Sequence, residues 1–468
     1  MIAYFPKYIS SRAIFLYFVL LIVVSLAFAY PMYWYWWLFG AVEVAGFFYF
    51  SNVLSKGWGK IESKRFERNI FWASLGIRAF YVVFSYLFYL SMTGTPFEFS
   101  SADSLMYDSI GREGSEMLWH GNLNLNSLFL GLDLSDRGYP LYLTFLYALT
   151  NKSIIITRLI KAIISAYTVV LIYRLSSRIF GNQVGRITAV FCMLMPNLIY
   201  YCGLHLKETE MLFLTALFLE RADALLRNNV PRIWDVIFLL AVGVATFFFR
   251  AVLCYVLFIT LAVSAVFGSK RLKAGGKWMI EILLVLLLCL LAFTQIGSDF
   301  FDADEYQDIQ EQQTSAMQWR SVREGGNAYA RYASASIFAP LIFTIPFPTM
   351  VNVETQQNQQ MIHGGNYVKN ILSFFTILAL VLLLLSGRWR ESIVPLAFVI
   401  GYLTVLAFSN FAQSERFHIP SLPFELMFAA YGISMFKRKH KGLFTIWLVI
   451  IFVAVIGWSW FKLRGRGL

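Results

Sequence analysis

The sequence predicts an all-α polytopic membrane protein, and three observations predict it. Apolar runs repeatedly reach the ~20 residues that an α-helix needs to cross a bilayer. Of the 468 residues, 58% are hydrophobic and only 14% charged, with a mean hydropathy of +0.62, far from the composition of a soluble globule. The 39 Lys and Arg gather in short clusters between apolar runs, so the net charge of +12 reads as the positive-inside bias of cytoplasmic loops and not as a nucleic-acid surface. Counting the runs gives a bundle of about 11–13 transmembrane helices with juxtamembrane helices and loops on the extracytoplasmic side.

In order along the chain, Lys7 and Arg12 precede a run over 13–29 whose AFAY ending resembles a small-residue cleavage site. A second run follows almost at once, so the first is expected to remain as a signal anchor. Residues 33–54 form the second span, with Trp and Tyr at its start as in an interfacial belt. Lys56, Lys60, Lys64, Arg65 and Arg68 mark a cytoplasmic loop, which makes 70–92 run outward and delivers an outer loop over 93–138. Tyr139 to Leu149 is too short to span, whereas the run from Ile154 returns to the cytoplasmic Arg174, Arg178 and Arg186. Spans over 187–203 and 204–226 follow. The segment 233–267 carries Arg250 in its middle and is expected to fold as a hairpin with that residue at the outer edge.

A span over 279–296 leads to the polar region 297–336, whose acidic run Asp299 to Glu311 reads as a solvated face, and then to a polar stretch from Asn352 to Asn366. Spans near 367–385, 392–409, 422–436 and 443–461 complete the chain. This count leaves Lys462, Arg464 and Arg466 outside, against the usual charge bias. The organisation is therefore 1–69 (two spans and a cytoplasmic loop), 70–296 (core), 297–366 (extracytoplasmic module) and 367–468 (final spans). The four cysteines, Cys192, Cys202, Cys254 and Cys289, lie in apolar segments with neither ligand spacing nor a paired framework, and read as packing residues.

The stretch Ser101 to His120 concentrates the chemistry. It places Asp103, Asp108, Glu113, Glu116 and His120 in one polar segment at a membrane edge. On a helix, Asp103, Tyr107 and Gly111 share one face, with the carboxylate at the N-terminal end where the dipole favours it. Asp103 answers to a fixed general base, and also to a helix N-cap. Asp108 and His120 alone make no metal site without a further ligand, so neither metal nor cofactor is predicted.

The run GYPLYLTFLYAL from Gly138, then RLIKAIISAYTVVLIYRLSSRIFG, then LMPNLIYYCGLHLKETEMLFLTALFLERADALLR to Arg227, resembles the polyprenyl-phosphate-sugar-dependent glycosyltransferases of the GT-C superfamily. Bacterial protein O-mannosyltransferase-like and lipid A aminoarabinose transferase-like enzymes belong there. The resemblance extends to Asp103, to the break at Arg250 and to RFHIPSLPF at 416–424, and so covers roughly Ser101 to Gly432. It departs from the family in two spans ahead of the usual first helix and in a single Asp where some members carry an acidic pair. It implies a plasma-membrane enzyme, inner membrane and multi-pass, that transfers a sugar with inversion at the extracytoplasmic face. The partners it implies are a polyprenyl-phosphate sugar donor, a glycan, lipid or protein acceptor, and the lipid bilayer.

An acceptor hydroxyl must lose its proton as it attacks the anomeric carbon, which assigns the base to Asp103. The departing lipid phosphate gathers negative charge, which assigns Lys207, Arg250, Arg416 and His418 to the donor. Tyr107 and Glu208 are expected to support substrate hydroxyls or to orient a cation, and Tyr139 to bind substrate. Arg250 and Arg416 also answer to snorkelling at span ends. A repeat-unit polymerase and a lipid-linked sugar transporter or flippase are the alternatives. The sequence shows none of the internal repeat that transporters often carry.

Overall fold

A computed structural model describes residues 2–228, 232–268, 338–409 and 411–467, with a few positions between 315 and 329. The span expected over 279–296, the acidic run Asp299 to Glu311 and Cys289 lie outside the described residues. The chain is an all-α polytopic membrane protein. Among the described residues six helices are long and apolar enough to cross a membrane, and a bent pair, taken as one span, makes a seventh.

Those spans are α1 (Lys7–Ala27), α2 (Trp34–Gly57), α3 (Ser63–Thr93), α7 (Ile154–Phe180), α14 (His363–Leu385), α18 (Lys441–Arg464) and the pair α8 (Asn182–Leu194) with α9 (Pro196–Cys202). Four shorter apolar helices accompany them, α11 (Ile233–Phe247), α12 (Ala251–Phe267), α15 (Ile393–Ala407) and α17 (Leu422–Ser434). The remaining helices are α4 (Ala102–Trp119), α5 (Leu125–Leu128), α6 (Gly138–Thr150), α10 (Glu208–Arg227), α13 (Gln357–Met361) and α16 (Glu415–His418). The break expected at Arg250 is present. This residue is extended (φ −168°) between α11 and α12, which pack on each other as a hairpin.

Position in the bundle follows from how much apolar surface each helix hides. Helices α7 and α14 bury 56% of their apolar window and stand at the centre, whereas α3 and α18 bury 28% and turn Phe80, Trp72, Ile446 and Val453 outward. Outward apolar faces on helices long enough to cross a membrane are the faces that lipid covers. At the centre, α14 and α17 approach so closely that a Cβ on Gly432 would strike the carbonyl oxygen of Phe375. Gly432→Val is therefore expected to part the two helices and cost about 1–3 kcal/mol, the usual penalty of overpacking, read as a lower Tm in detergent. An unchanged Tm would show that this crossing is loose.

The helix termini collect at two ends. At one end Arg186 donates to Trp58 O (3.1 Å), Arg227 to Glu391 O (2.7 Å) and Ile2 N to Ser434 O (2.8 Å). The clusters Lys56 to Arg68 and Lys437 to Lys441 belong to this basic end. At the other end Asn352 N donates to Tyr30 O (2.8 Å) and Gly138 N to Phe248 O (2.8 Å). That second end carries Asp103, and the C-terminus of α18 with Lys462 lies there too. The non-helical stretch 342–353 is mostly buried against α14 instead of standing clear of the bundle. Its backbone is satisfied from α14, with Lys369 donating to Ile345 O (2.7 Å) and Asn370 to Pro346 O (3.0 Å). Irregular backbone inside an apolar bundle needs such partners.

Candidate active site

The turn from α9 into α10 anchors the site. Pro196 lacks an N–H and so leaves the carbonyl of Cys192 without its helical donor, and α8 meets α9 at a 50° bend. Arg78 of α3 takes up the freed groups. Its Nη2 donates to Cys192 O (3.1 Å), Nη1 to Met193 O (3.3 Å) and Nε to Ser165 (2.7 Å). Beyond the bend, Lys161 of α7 donates to the carbonyls of Leu204 (2.9 Å) and Leu206 and lies 3.5 Å from Glu210. The loop carrying His205 and Lys207, and with it Glu208 at the start of α10, is thereby pinned to the central helix.

Glu208 and Glu210 occupy the first turn of α10, where the free N–H groups and the helix dipole favour carboxylates. Glu208 accepts from Arg416 Nε, and Arg416 Nη1 donates to Asp103. One guanidinium thus joins carboxylates of α4 and α10. Burial alone would lower the Arg416 pKa, but Glu208 and then Asp103 outweigh it and hold the group well above its ordinary value. The two carboxylates differ in access. The side chain of Asp103 is 48% exposed and that of Glu208 only 1%.

Asp103 is not the N-cap of α4. Ser101 holds that position, and Asp103 follows in the first turn. From there α4 lies on α6, with Gly111 and Gly114 against Leu143, Thr144 and Tyr147. The face read from the sequence is therefore split, with Tyr107 and Gly111 buried and Asp103 above them at the surface. A buried bond from Ser104 to Glu98 (2.6 Å) fixes the start of the helix. Burial raises the Glu98 carboxyl above its usual range.

Lys207 is paired with Asp136 and donates to Phe249 O (2.8 Å), tying the start of α6 to the break before Arg250. Burial draws its pKa down against the pull of Asp136. The Arg250 guanidinium lies 4.5 Å from the centre of the Phe417 ring, beside the Arg416 cluster, and its charge reaches Glu208. Tyr107 lies under Asp103, edge-on to Tyr139 with ring centres 5.1 Å apart.

Six of the expected residues therefore converge: Asp103, Tyr107, Lys207, Glu208, Arg250 and Arg416. Tyr139 and His418 do not reach this cluster. Tyr139 is sealed behind Tyr107, between His205 and Lys161. His418 turns the other way, to Lys369 (2.7 Å) and Ala412 O (2.8 Å), because α16 directs positions 416 and 418 to different sides. Asp108 also points inward, held by Arg112 (2.7 Å) and Tyr147, with Tyr147 in turn 3.0 Å from His205.

The sequence matches no known family model, and no curated protein matches it.

Among the described residues no group of three or more His, Cys, Asp or Glu is placed to hold a metal ion. Cys192, Cys202 and Cys254 are buried free thiols. Beside the Asp103 cluster a cavity of about 470 Å³ opens, walled in part by Ser100, Ser414 and Glu415. Two features escaped the sequence reading. Asp136 was unremarkable in its loop, and Lys462 was read as a topology signal although it donates to Gln356 (2.7 Å) and Gln359 (3.0 Å) at this cavity.

Proposed function

We propose that the protein is a membrane glycosyltransferase that moves a sugar, with inversion, from a polyprenyl-phosphate donor to an acceptor hydroxyl at the extracytoplasmic face of the plasma membrane. The observation that carries this reading is the accessible carboxylate of Asp103 held beside Arg416 at one end of a lipid-embedded bundle. A polyprenyl tail stays in the bilayer while its phosphate needs a cation, and both demands are met at a membrane edge. The acceptor oxygen attacks the anomeric carbon as the bond from that carbon to the phosphate oxygen breaks. The bonding pair leaves with the phosphate, and Asp103 takes the acceptor proton. Arg416, with Lys207 and Arg250 behind it, receives the charge that develops on the phosphate.

The reading is tested by reconstituting the purified protein with a panel of radiolabelled polyprenyl-phosphate sugars and candidate acceptors. Label moving onto an acceptor supports it. Label crossing the bilayer unchanged, with no transfer, replaces it with a lipid-linked sugar transporter.

The assigned side has its own test, motivated by the Lys and Arg at the opposite end of the bundle. Glu113→Cys, exposed on α4, is expected to react with an impermeant maleimide in intact cells, in a Cys289→Ser background. Lys60→Cys is expected to react only after permeabilisation. The reverse pattern would put Asp103 in the cytoplasm.

A further inference from the structure

The cavity walled in part by Ser100, Ser414 and Glu415 is rich in amide side chains. Lys462, almost wholly buried, donates to the side-chain oxygens of Gln356 and Gln359. A lysine has only donors, so both amides turn their oxygens to it and their NH2 groups away. Asn358 donates to Phe99 O (2.5 Å), which leaves its own side-chain oxygen buried without a partner. Gln413 has no partner for either amide atom, and neither does the indole N–H of Trp458. All of these residues line the cavity.

Buried polar atoms left unpaired are costly, at roughly 1–3 kcal/mol each, and Asn358, Gln413 and Trp458, which carry four of them, all line this one cavity, where a small turn of each side chain would offer them to a ligand. Both donors and acceptors are offered, as a hydroxyl requires. Trp458 adds an aromatic surface, stacked on Phe461 with ring centres 5.1 Å apart, of the kind on which the C–H face of a sugar ring packs. Charge argues against an anion. Lys462 and Arg466 are matched on the described wall by Glu354 and Glu415. The volume of about 470 Å³ falls in the range of small-molecule sites.

We propose that this cavity binds an uncharged saccharide, the acceptor, with Gln413 and Trp458 as its specificity residues. The inference rests on the glycosyltransferase reading, which places the reactive hydroxyl beside Asp103. Asp103 and Arg416 do not themselves line the cavity, but Ser100, three positions before Asp103, and Ser414 and Glu415, directly before Arg416, do, so the wall on that side is continuous along the chain with the cluster.

The test is binding, separate from transfer. Full-length protein in nanodiscs is titrated with glucose, galactose, mannose, N-acetylglucosamine and their disaccharides, with inorganic phosphate and a serine-containing peptide as further arms, read by saturation-transfer NMR. At least one neutral saccharide is expected to bind. Gln413→Leu removes no bond within the fold, so it should leave Tm unchanged or raised while weakening that saccharide about tenfold. Trp458→Leu should weaken it similarly, and Glu113→Cys, exposed on α4 and outside the cavity lining, should not. Binding of phosphate or peptide alone, or equal saccharide affinity in Gln413→Leu and Trp458→Leu, would overturn the proposal. If saccharide binds with no transfer from any donor, the glycosyltransferase reading fails and the saccharide site stands. If transfer proceeds with the acceptor KM unchanged in Gln413→Leu, only the saccharide site fails.

Discussion

Asp103→Asn is expected to leave the protein folded and donor-bound while transfer falls by the ~10²–10⁴-fold that loss of a general base costs. The amide is nearly isosteric and still accepts from Arg416 through its oxygen. Glu208 continues to balance the guanidinium, since it supplies the larger part of the field that holds Arg416 charged. The fold has little to lose, because the Asp103 carboxylate is half exposed and an exposed ion pair contributes only about 0–1 kcal/mol. Initial transfer rates at equal protein, with Tm measured alongside, decide the matter. Full activity in Asp103→Asn removes this residue from the chemistry. Asp108→Asn is the contrast. Its carboxylate is buried between Arg112 and Tyr147, so a lower Tm with transfer retained is expected, and loss of transfer confined to this variant would move the base to position 108.

Local pattern made the long spans legible, and the site only in part; 204–226, 392–409 and 422–436, expected as spans, are helices outside the set long and apolar enough to cross. A ~20-residue apolar run declares a crossing by itself, and a lone arginine in such a run declared the break that became the α11–α12 hairpin. The pairing of Asp103 with Glu208 through Arg416 joins positions more than a hundred residues apart and leaves no local trace. It depends on how each helix is rotated about its axis. That rotation also separated the candidates at the outer ends of spans, for hydropathy ranks Arg416 and His418 alike while α16 sends one to Glu208 and the other to Lys369. Lys462 misled for a related reason. Charge beyond a span normally reports topology, yet here the ammonium is buried and holds two glutamine side chains in place.

Arg416→Ala is expected to do more damage to the fold than any other substitution at the site. Glu208 is buried at 1% exposure, and Arg416 is its hydrogen-bonded cation. Removing one partner of a buried ion pair leaves the other charge uncompensated, at a cost of about 3–5 kcal/mol. Neither neighbouring cation is placed to replace it. Lys207 is committed to Asp136 and Phe249 O, and the Arg250 guanidinium is stacked on Phe417. The same logic predicts rescue. Glu208→Gln added to Arg416→Ala removes the stranded charge and should restore most of the lost stability, so a double-mutant cycle on Tm or denaturant midpoint is expected to show strong coupling. Donor binding should not recover in the double variant, because the phosphate still lacks its guanidinium. Additive stability effects would show that Glu208 does not depend on Arg416. Donor affinity returning to the wild-type value would show that Arg416 holds the fold and not the phosphate.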